Sequence, residues 1–285
     1  MPSTAEPVSI DAVLATAANR LASVSDSARL DAEILVARSI NMPRSYLFAH
    51  PEEDLDTVAI ERLTETIDRR LNGEPMAYIT GVKEFWSLEL LVTSATLVPR
   101  PETELLVDLA LREIPRGADW QILDLGTGSG AIAVAIAKER PCSDVTAIDA
   151  SGEALAVAMQ NVRRLDLPNV SCIEGDWTTP VTDRSFRVIV SNPPYVGDSD
   201  SALEELRAEP GVALASGPDG LDAIRRLAHD CSSIIDADGL LILEHGNEQQ
   251  LAVADILESN GWRDIACFDD YAGHPRVTTA RPRAS

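Results

Sequence analysis

An apolar run, Phe186 to Val190, leads directly into Ser191-Asn192-Pro193-Pro194-Tyr195. Proline lacks an N–H and fixes φ, so two in succession cannot extend a central strand, and the strand must stop here at its C-terminal edge. Asn192 offers a side-chain oxygen, the two prolines leave rigid carbonyl acceptors, and Tyr195 offers a flat face. This set suits a planar NH2 group, with two acceptors for its two hydrogens and a ring against its plane. An amide nitrogen is a poor nucleophile because its lone pair is delocalised into the carbonyl. Holding both hydrogens aims that nitrogen at an electrophilic carbon and stabilises the positive charge that develops on it. Neither a metal nor a strong base is required. Asn192, Pro193 and Tyr195 are therefore the catalytic candidates, and Asn192 to Tyr195, with Pro194, the acceptor-binding ones. A rigid turn without chemistry is the plain alternative.

A second constellation lies upstream. Ile122-Leu123-Asp124-Leu125 reads as a buried strand that enters the turn Gly126-Thr127-Gly128-Ser129-Gly130 and then a helix from Ala131. Glycines let backbone come close to a ligand, and a helix N-terminus offers free N–H groups to an anion. Asp149, nineteen residues past Gly130, ends the next strand, where a carboxylate can accept from both hydroxyls of a ribose. Gly126-x-Gly128-x-x-Ala131 also fits the dinucleotide fingerprint, so the loop alone does not separate NAD from S-adenosylmethionine. Asp124 tilts the balance toward S-adenosylmethionine, because an acid just before the turn resembles the first methyltransferase motif. In a dinucleotide site it would face the pyrophosphate.

These loops need a scaffold. Apolar residues recur at helical spacing at Ile10, Val13, Leu14 and Ala17, and again at Leu30, Ile34, Leu35 and Ala37. A third helix spans about Asp56 to Leu71 and stops at Asn72-Gly73. Residues 8–72 thus read as helices only, either a stabilising cap or a docking surface. Tyr78 to Thr80, Phe85-Trp86 and Leu88 to Val92 suggest a β-hairpin turned near Gly81. After Pro101 strands and helices alternate, the signature of a parallel sheet covered on both faces. Strands are expected at Gln121–Leu125, Val145–Asp149, Val170–Ile173, Val188–Ser191, Leu240–Glu244, Ile265–Phe268 and Arg276–Thr279, with helices near 103–113, 130–139 and 151–165. Asp269 to Pro275 is too short for a crossover helix, so the last two strands should pair antiparallel.

Bulk properties narrow the class. The 285 residues are 45% hydrophobic and 25% charged, values of a chain with a full core, and the net charge is -22. So acidic a chain, with no run of Lys and Arg beyond two residues, disfavours direct contact with nucleic acid and favours a protein partner, possibly basic. Cys142, Cys172, Cys231 and Cys267 form no metal-ligand spacing with the four histidines, so no metal is expected and the thiols read as reduced. No apolar run approaches a membrane span, and the first ten residues show neither a basic nor an apolar stretch of a leader. A cytoplasmic, monomeric protein is the expectation.

Taken together, these segments resemble a known family. Asn-Pro-Pro-Tyr is the motif of amino-methyltransferases of adenine, guanine and glutamine. Gly73-Glu74-Pro75, Thr80 to Trp86, Leu97 to Glu104, Ile122 to Gly130, Asp176-Trp177 and Leu243-Glu244-His245-Gly246 are similar to the HemK-like protein-glutamine methyltransferases of peptide chain release factors. The resemblance implies an α/β fold: a seven-stranded class I methyltransferase (Rossmann-like) sheet with a small N-terminal helical bundle joined by a β-hairpin. It implies a helical substrate-recognition domain at 1–76, a hairpin linker at 77–97 and a methyltransferase domain at 98–285. S-adenosyl-L-methionine would be held by Gly126 to Gly130, by Asp149 at the ribose, by Asp176 and Trp177 at the adenine, and by Asn192. The implied partner is a class I release factor, whose Gly-Gly-Gln glutamine would sit on Asn192 to Tyr195. Arg100 and Glu104 would help build the pocket wall, though a helix-start charge explains Glu104 almost equally well. Phe85 and Trp86 read as packing before cofactor shielding, and His245 as a satisfied interior histidine before a catalytic one. The remaining alternatives are a nucleic-acid adenine or guanine methyltransferase, a non-catalytic binding module and a nicotinamide oxidoreductase.

Overall fold

A computed structural model describes residues 8–283, which divide into two compact units between Thr80 and Gly81. Residues 1–7, most of the stretch read above for a leader, lie outside the described residues.

The first unit is helical. β1 (Val8–Ser9) precedes α1 (Ile10–Leu21), α2 (Ala28–Ser39) and α3 (Arg44–Ala49), followed by β2 (Asp54–Leu55), α4 (Thr57–Leu71) and α5 (Met76–Thr80). The antiparallel pairing of β1 with β2 corrects the helices-only reading, since two residues per strand are too few to show alternation. Ile10, Leu14, Ala17 and Leu21 form one buried stripe of α1, packed in a core with Leu35 and Val36 of α2 and Leu63 and Ile67 of α4. Asp56 caps α4 by accepting from the Ala59 N–H at 2.7 Å. Buried Asp31 on α2 meets Arg70 on α4 at 3.1 Å. Nearby Glu33 is held below the usual carboxylate range, chiefly by its hydrogen bond from Arg44. Tyr78 to Thr80, expected as a strand, is helix: Pro75 opens the turn, and its carbonyl accepts from the N–H groups of Tyr78 and Ile79 at 2.9 and 3.2 Å.

The second unit opens with the hairpin, placed later than expected. β3 (Val82–Phe85) pairs with β4 (Leu88–Leu91), and the turn is Trp86-Ser87 at φ +53° and +56°, not Gly81. Two left-handed residues match the twist of a two-residue hairpin, but they strain a tryptophan. Glu104 secures the turn by accepting from the Trp86 N–H at 2.8 Å.

Strands and helices then alternate through α6 (Glu104–Glu113), β5 (Gln121–Leu125), α7 (Ala131–Glu139), β6 (Asp144–Asp149), α8 (Gly152–Arg164), β7 (Val170–Glu174) and β8 (Phe186–Ser191). After the short α9 (Ala202–Glu205) come α10 (Asp222–Asp230), β9 (Ile235–Glu244), α11 (Gln250–Ser259), β10 (Trp262–Asp269) and β11 (Pro275–Pro282). The seven-stranded sheet runs β10-β11-β9-β8-β5-β6-β7, parallel except for β11, which is antiparallel to both of its neighbours. Alternate residues serve opposite faces. Ile122, Val188 and Ile242 pack with α6 and α7, while Leu123, Ile189 and Leu241 pack with α10 and α11.

One buried polar side chain ties three segments together. Asn161 on α8 accepts from the Leu91 N–H at 2.7 Å and donates to the carbonyls of Leu91 and Ser129 at 3.0 and 2.8 Å. It thereby fastens the hairpin and the glycine loop to one helix. Asn161→Ala leaves three backbone groups without a partner and should lower the unfolding free energy by about 1–3 kcal/mol in a urea titration.

Candidate active site

The topology makes the site before any side chain does. From β5 the chain proceeds outward to β6 and β7, whereas β8 lies on the other side of β5, so the connections diverge between β5 and β8. In doubly wound sheets the crevice beyond the carboxyl ends at such a switch point binds ligands. Leu125 lies opposite Ser191 in the parallel register, and the Ser191 hydroxyl donates to the Leu125 carbonyl at 2.7 Å. The glycine loop and Asn192 therefore leave the sheet side by side.

A cavity of about 320 Å³ opens at this point. Gly126, Gly128, Asp149, Trp177, Asn192 and Pro194 all line it, which brings both constellations to one wall. Gly126 has φ +71°, a conformation that side chains rarely adopt, and the Trp177 ring packs in contact distance of it. The Gly126 and Thr127 N–H groups both donate to the Ile148 carbonyl at 2.9 Å. Asp149 accepts from the Gly128 N–H and the Ser151 N–H, each at 2.8 Å and on separate oxygens. Each oxygen keeps a lone pair for a further donor.

Asp124 fixes the loop from beneath. It is fully buried and accepts from the Thr127 hydroxyl at 2.6 Å and the Ala133 N–H at 3.2 Å, both on Oδ2, while Oδ1 has no partner among the described residues. Burial pushes its carboxyl up to about 7; Thr127 and the Ala133 N–H oppose that shift, and Asp149 adds to it. Thr127, Ser129 and Gly130 complete the loop without lining the cavity.

Asn192 donates through Nδ2 to the Thr103 hydroxyl at 3.0 Å, which leaves its carbonyl oxygen as the acceptor. The Tyr195 carbonyl accepts from Gln249 at 2.9 Å, and its hydroxyl donates to Glu244 at 3.3 Å. Pro193 is buried, and neither it nor Tyr195 lines the cavity.

Other expectations separate here. Asp176 does not line the cavity with Trp177; its carboxylate pairs with Arg226 at 2.8 Å. Arg100 pairs with buried Glu209, whose other oxygen accepts from the Val98 N–H at 2.9 Å. Glu104 serves the hairpin turn, and Phe85 and Trp86 pack against the core. His245 is satisfied, with 2.8 Å contacts to the Thr278 hydroxyl and the Gly246 carbonyl, and burial lowers its pKa. The sequence reading gave no role to Pro210 and Val212, which line the cavity from a short 3-10 turn, nor to Thr103 and Glu244. Thr103 and Glu244 stand inside quoted motifs; Val212 carried no signal at all.

Comparison with known proteins gives the family and the fold. The family model of the PrmC N-terminal domain matches residues 12–81, and that of the methyltransferase small domain matches residues 102–217. The release factor glutamine methyltransferase of Coxiella burnetii is 43% identical over 262 residues, 92% of this chain and 95% of its own. Its counterpart from Pseudomonas aeruginosa is 46% identical over 257 residues, 89% and 92% of the two chains. The crystal structure of a methyltransferase from Pyrococcus furiosus shares the fold, with a TM-score of 0.53 over 76% of this chain and 98% of that one at 20% identity. Identity of this degree over nearly the whole length, with both domain models matched in order, means that the chain belongs to the release factor glutamine methyltransferase family.

Proposed function

We propose that this chain transfers a methyl group from S-adenosyl-L-methionine to the side-chain amide nitrogen of the Gly-Gly-Gln glutamine of class I release factors. The observation that carries the reading is the pairing of Asn192, its oxygen left free by Thr103, with the glycine loop on one cavity wall. The residues fit the cofactor. Gly126 and Gly128 leave backbone room, Asp149 keeps acceptor lone pairs that would take a ribose, and Trp177 would offer an aromatic face to the adenine, while Asp176 is held by Arg226. When bound, S-adenosylmethionine supplies a methyl carbon activated by a sulfonium.

The protein's part is to aim a weak nucleophile. The Asn192 oxygen and the Pro193 carbonyl would each take one hydrogen of the glutamine NH2, and the Tyr195 ring would lie along its plane. That geometry points the nitrogen lone pair at the methyl carbon and spreads the charge that develops on nitrogen, which then releases one proton. The family relationship and the net charge of -22 favour a protein acceptor over nucleic acid. The helical unit, which exposes Phe48, Met42 and Val58, is the proposed recognition surface for the release factor. Among the described residues no helix is long and apolar enough to cross a membrane.

Four outcomes test this reading. Asp149→Ala should weaken cofactor binding by about 1.5–3 kcal/mol, roughly ten- to a hundredfold, in calorimetry, and unchanged affinity rejects the ribose assignment. Asn192→Ala should lower the methylation rate by about 10²–10³ with cofactor affinity nearly intact. In the same assay, labelled methyl should vanish when the Gly-Gly-Gln glutamine is changed to glutamate; persistent incorporation means another atom is modified. Removing the residues before Gly81 should spare cofactor binding and sharply reduce methylation of intact release factor, whereas full activity makes the helical unit only a cap.

A further inference from the structure

Behind the acceptor motif a buried carboxylate stands near a buried hydroxyl. Glu244, the last residue of β9, is 1% exposed. Its Oε1 accepts from the Tyr195 hydroxyl, and its Oε2 makes no hydrogen bond among the described residues. Beside it stands the buried Thr103 hydroxyl, which takes the Asn192 NH2. The other charged groups facing Glu244 are Arg276 and Glu102. Arg276 is directed to Asp270 at 3.3 Å and to the His245 carbonyl at 3.4 Å, while His245 itself turns to Thr278. Among the described residues no ion pair neutralises Glu244, so packing alone does not account for an acid here.

Hydrogen-bond direction decides what Asn192 offers. The Thr103 hydroxyl has one proton. If it points that proton at a Glu244 carboxylate, its lone pairs receive the Asn192 NH2, and the Asn192 oxygen is left for an incoming NH2. If Glu244 is neutral and donates to Thr103, the hydroxyl proton turns to Asn192, the amide flips, and the site meets an NH2 with another NH2. We infer that Glu244 is a positioning residue: as a carboxylate it sets Asn192, through Thr103, in the acceptor orientation and anchors the Tyr195 ring through its hydroxyl. The inference rests on the acceptor role proposed above for Asn192. Burial pushes the Glu244 carboxyl up to about 7, with Thr103, Arg276 and Tyr195 opposing and Glu102 adding to the shift, so the change of orientation falls near neutrality.

Glu244→Gln mimics the neutral state, because its amide donates to Thr103 while its oxygen still serves Tyr195. The variant should lose about 10–100-fold in kcat on intact release factor with KM and cofactor affinity little changed. The acid limb of the wild-type rate profile, centred near 7, should be absent from it. Thr103→Val should show the same loss, and the double variant should lose no more than either single one, since both cut one chain. Glu244→Asp should recover part of the rate. Stability should move the other way. A carboxyl with a folded value of about 7 against an ordinary 4.5 contributes stability below 4.5 and loses it as pH rises through 7. Glu244→Gln should therefore resist urea at least as well as the wild type at mildly alkaline pH. A readout independent of methyl transfer is the Asn192 side-chain amide resonance. It should titrate near neutrality in the wild type and stay fixed in Glu244→Gln. Full activity of Glu244→Gln, additive losses, or an Asn192 resonance that does not titrate overturns the positioning role. A titrating resonance in a wild-type protein that does not methylate release factor leaves the positioning intact and rejects the proposed acceptor instead.

Discussion

Parallel pairing of β5 with β8 places Leu125 opposite Ser191, and everything chemical in the second unit depends on that register. A slip of one residue would reverse which side chains of β8 meet α6 and α7 and which meet α10 and α11, exposing Val188 and Val190 to the wrong core. The fully buried strands do not allow it. Because the register is held, the turn after Leu125 and the turn after Ser191 emerge at one edge, and the Ser191 hydroxyl links them directly. The glycine loop then bends toward β6, where the Ile148 carbonyl collects two of its N–H groups and Asp149 a third. The proline pair has no such option, since it cannot donate, and continues away from the sheet as a stiff ledge.

The two halves of the site are built from different material. The glycine-loop side is mostly backbone: glycines, N–H groups and one carbonyl, with Asp124 and Asp149 as the acids that organise them. The Asn192 side is side chains drawn from distant segments, Thr103 before α6, Asn192 after β8, Glu244 at the end of β9 and Gln249 before α11. The glycine loop tolerates little change in residue type, because Gly126, Gly128 and Gly130 all stand at positive φ. Side-chain networks depend instead on proton direction, which a substitution of one atom can invert.

This difference explains what could be read from the chain alone. The central strands β5, β8 and β9 are legible because each carries an apolar run, and the glycine loop is legible because its spacing is local. Asn192 to Tyr195 announced itself by two prolines at a strand end. The hairpin was misplaced because Gly81 is the obvious turn residue, whereas the turn in the fold uses Trp86 and Ser87 in a conformation held by Glu104, a partner eighteen positions away. Asn161 and Glu209 carry no sequence signal for the same reason: each is an ordinary polar residue until folding brings its partners. Asp176 was placed with its neighbour Trp177, yet adjacent residues in a turn point in different directions, and Arg226 claims the carboxylate.

An amide nitrogen gains little from a general base, since neither hydrogen is acidic enough to leave before the new bond forms. What a protein can supply is orientation, and orientation of an NH2 group needs acceptors that cannot turn into donors. An asparagine alone does not meet that requirement, because its two ends are nearly identical in shape and either can face the substrate. Backbone carbonyls meet it by construction, which is why proline-fixed carbonyls suit such a ledge. For Asn192 in the role proposed for it the polarity must come from elsewhere, and hydroxyls relay polarity without creating it. The relay has to end on a group that only accepts, and in this fold the buried end of β9 is where such a group stands, close to Thr103 and in contact with Tyr195. A carboxylate there is unfavourable for stability and favourable for a fixed direction of hydrogen bonding. That opposition is common where a buried acid survives in an otherwise apolar strand.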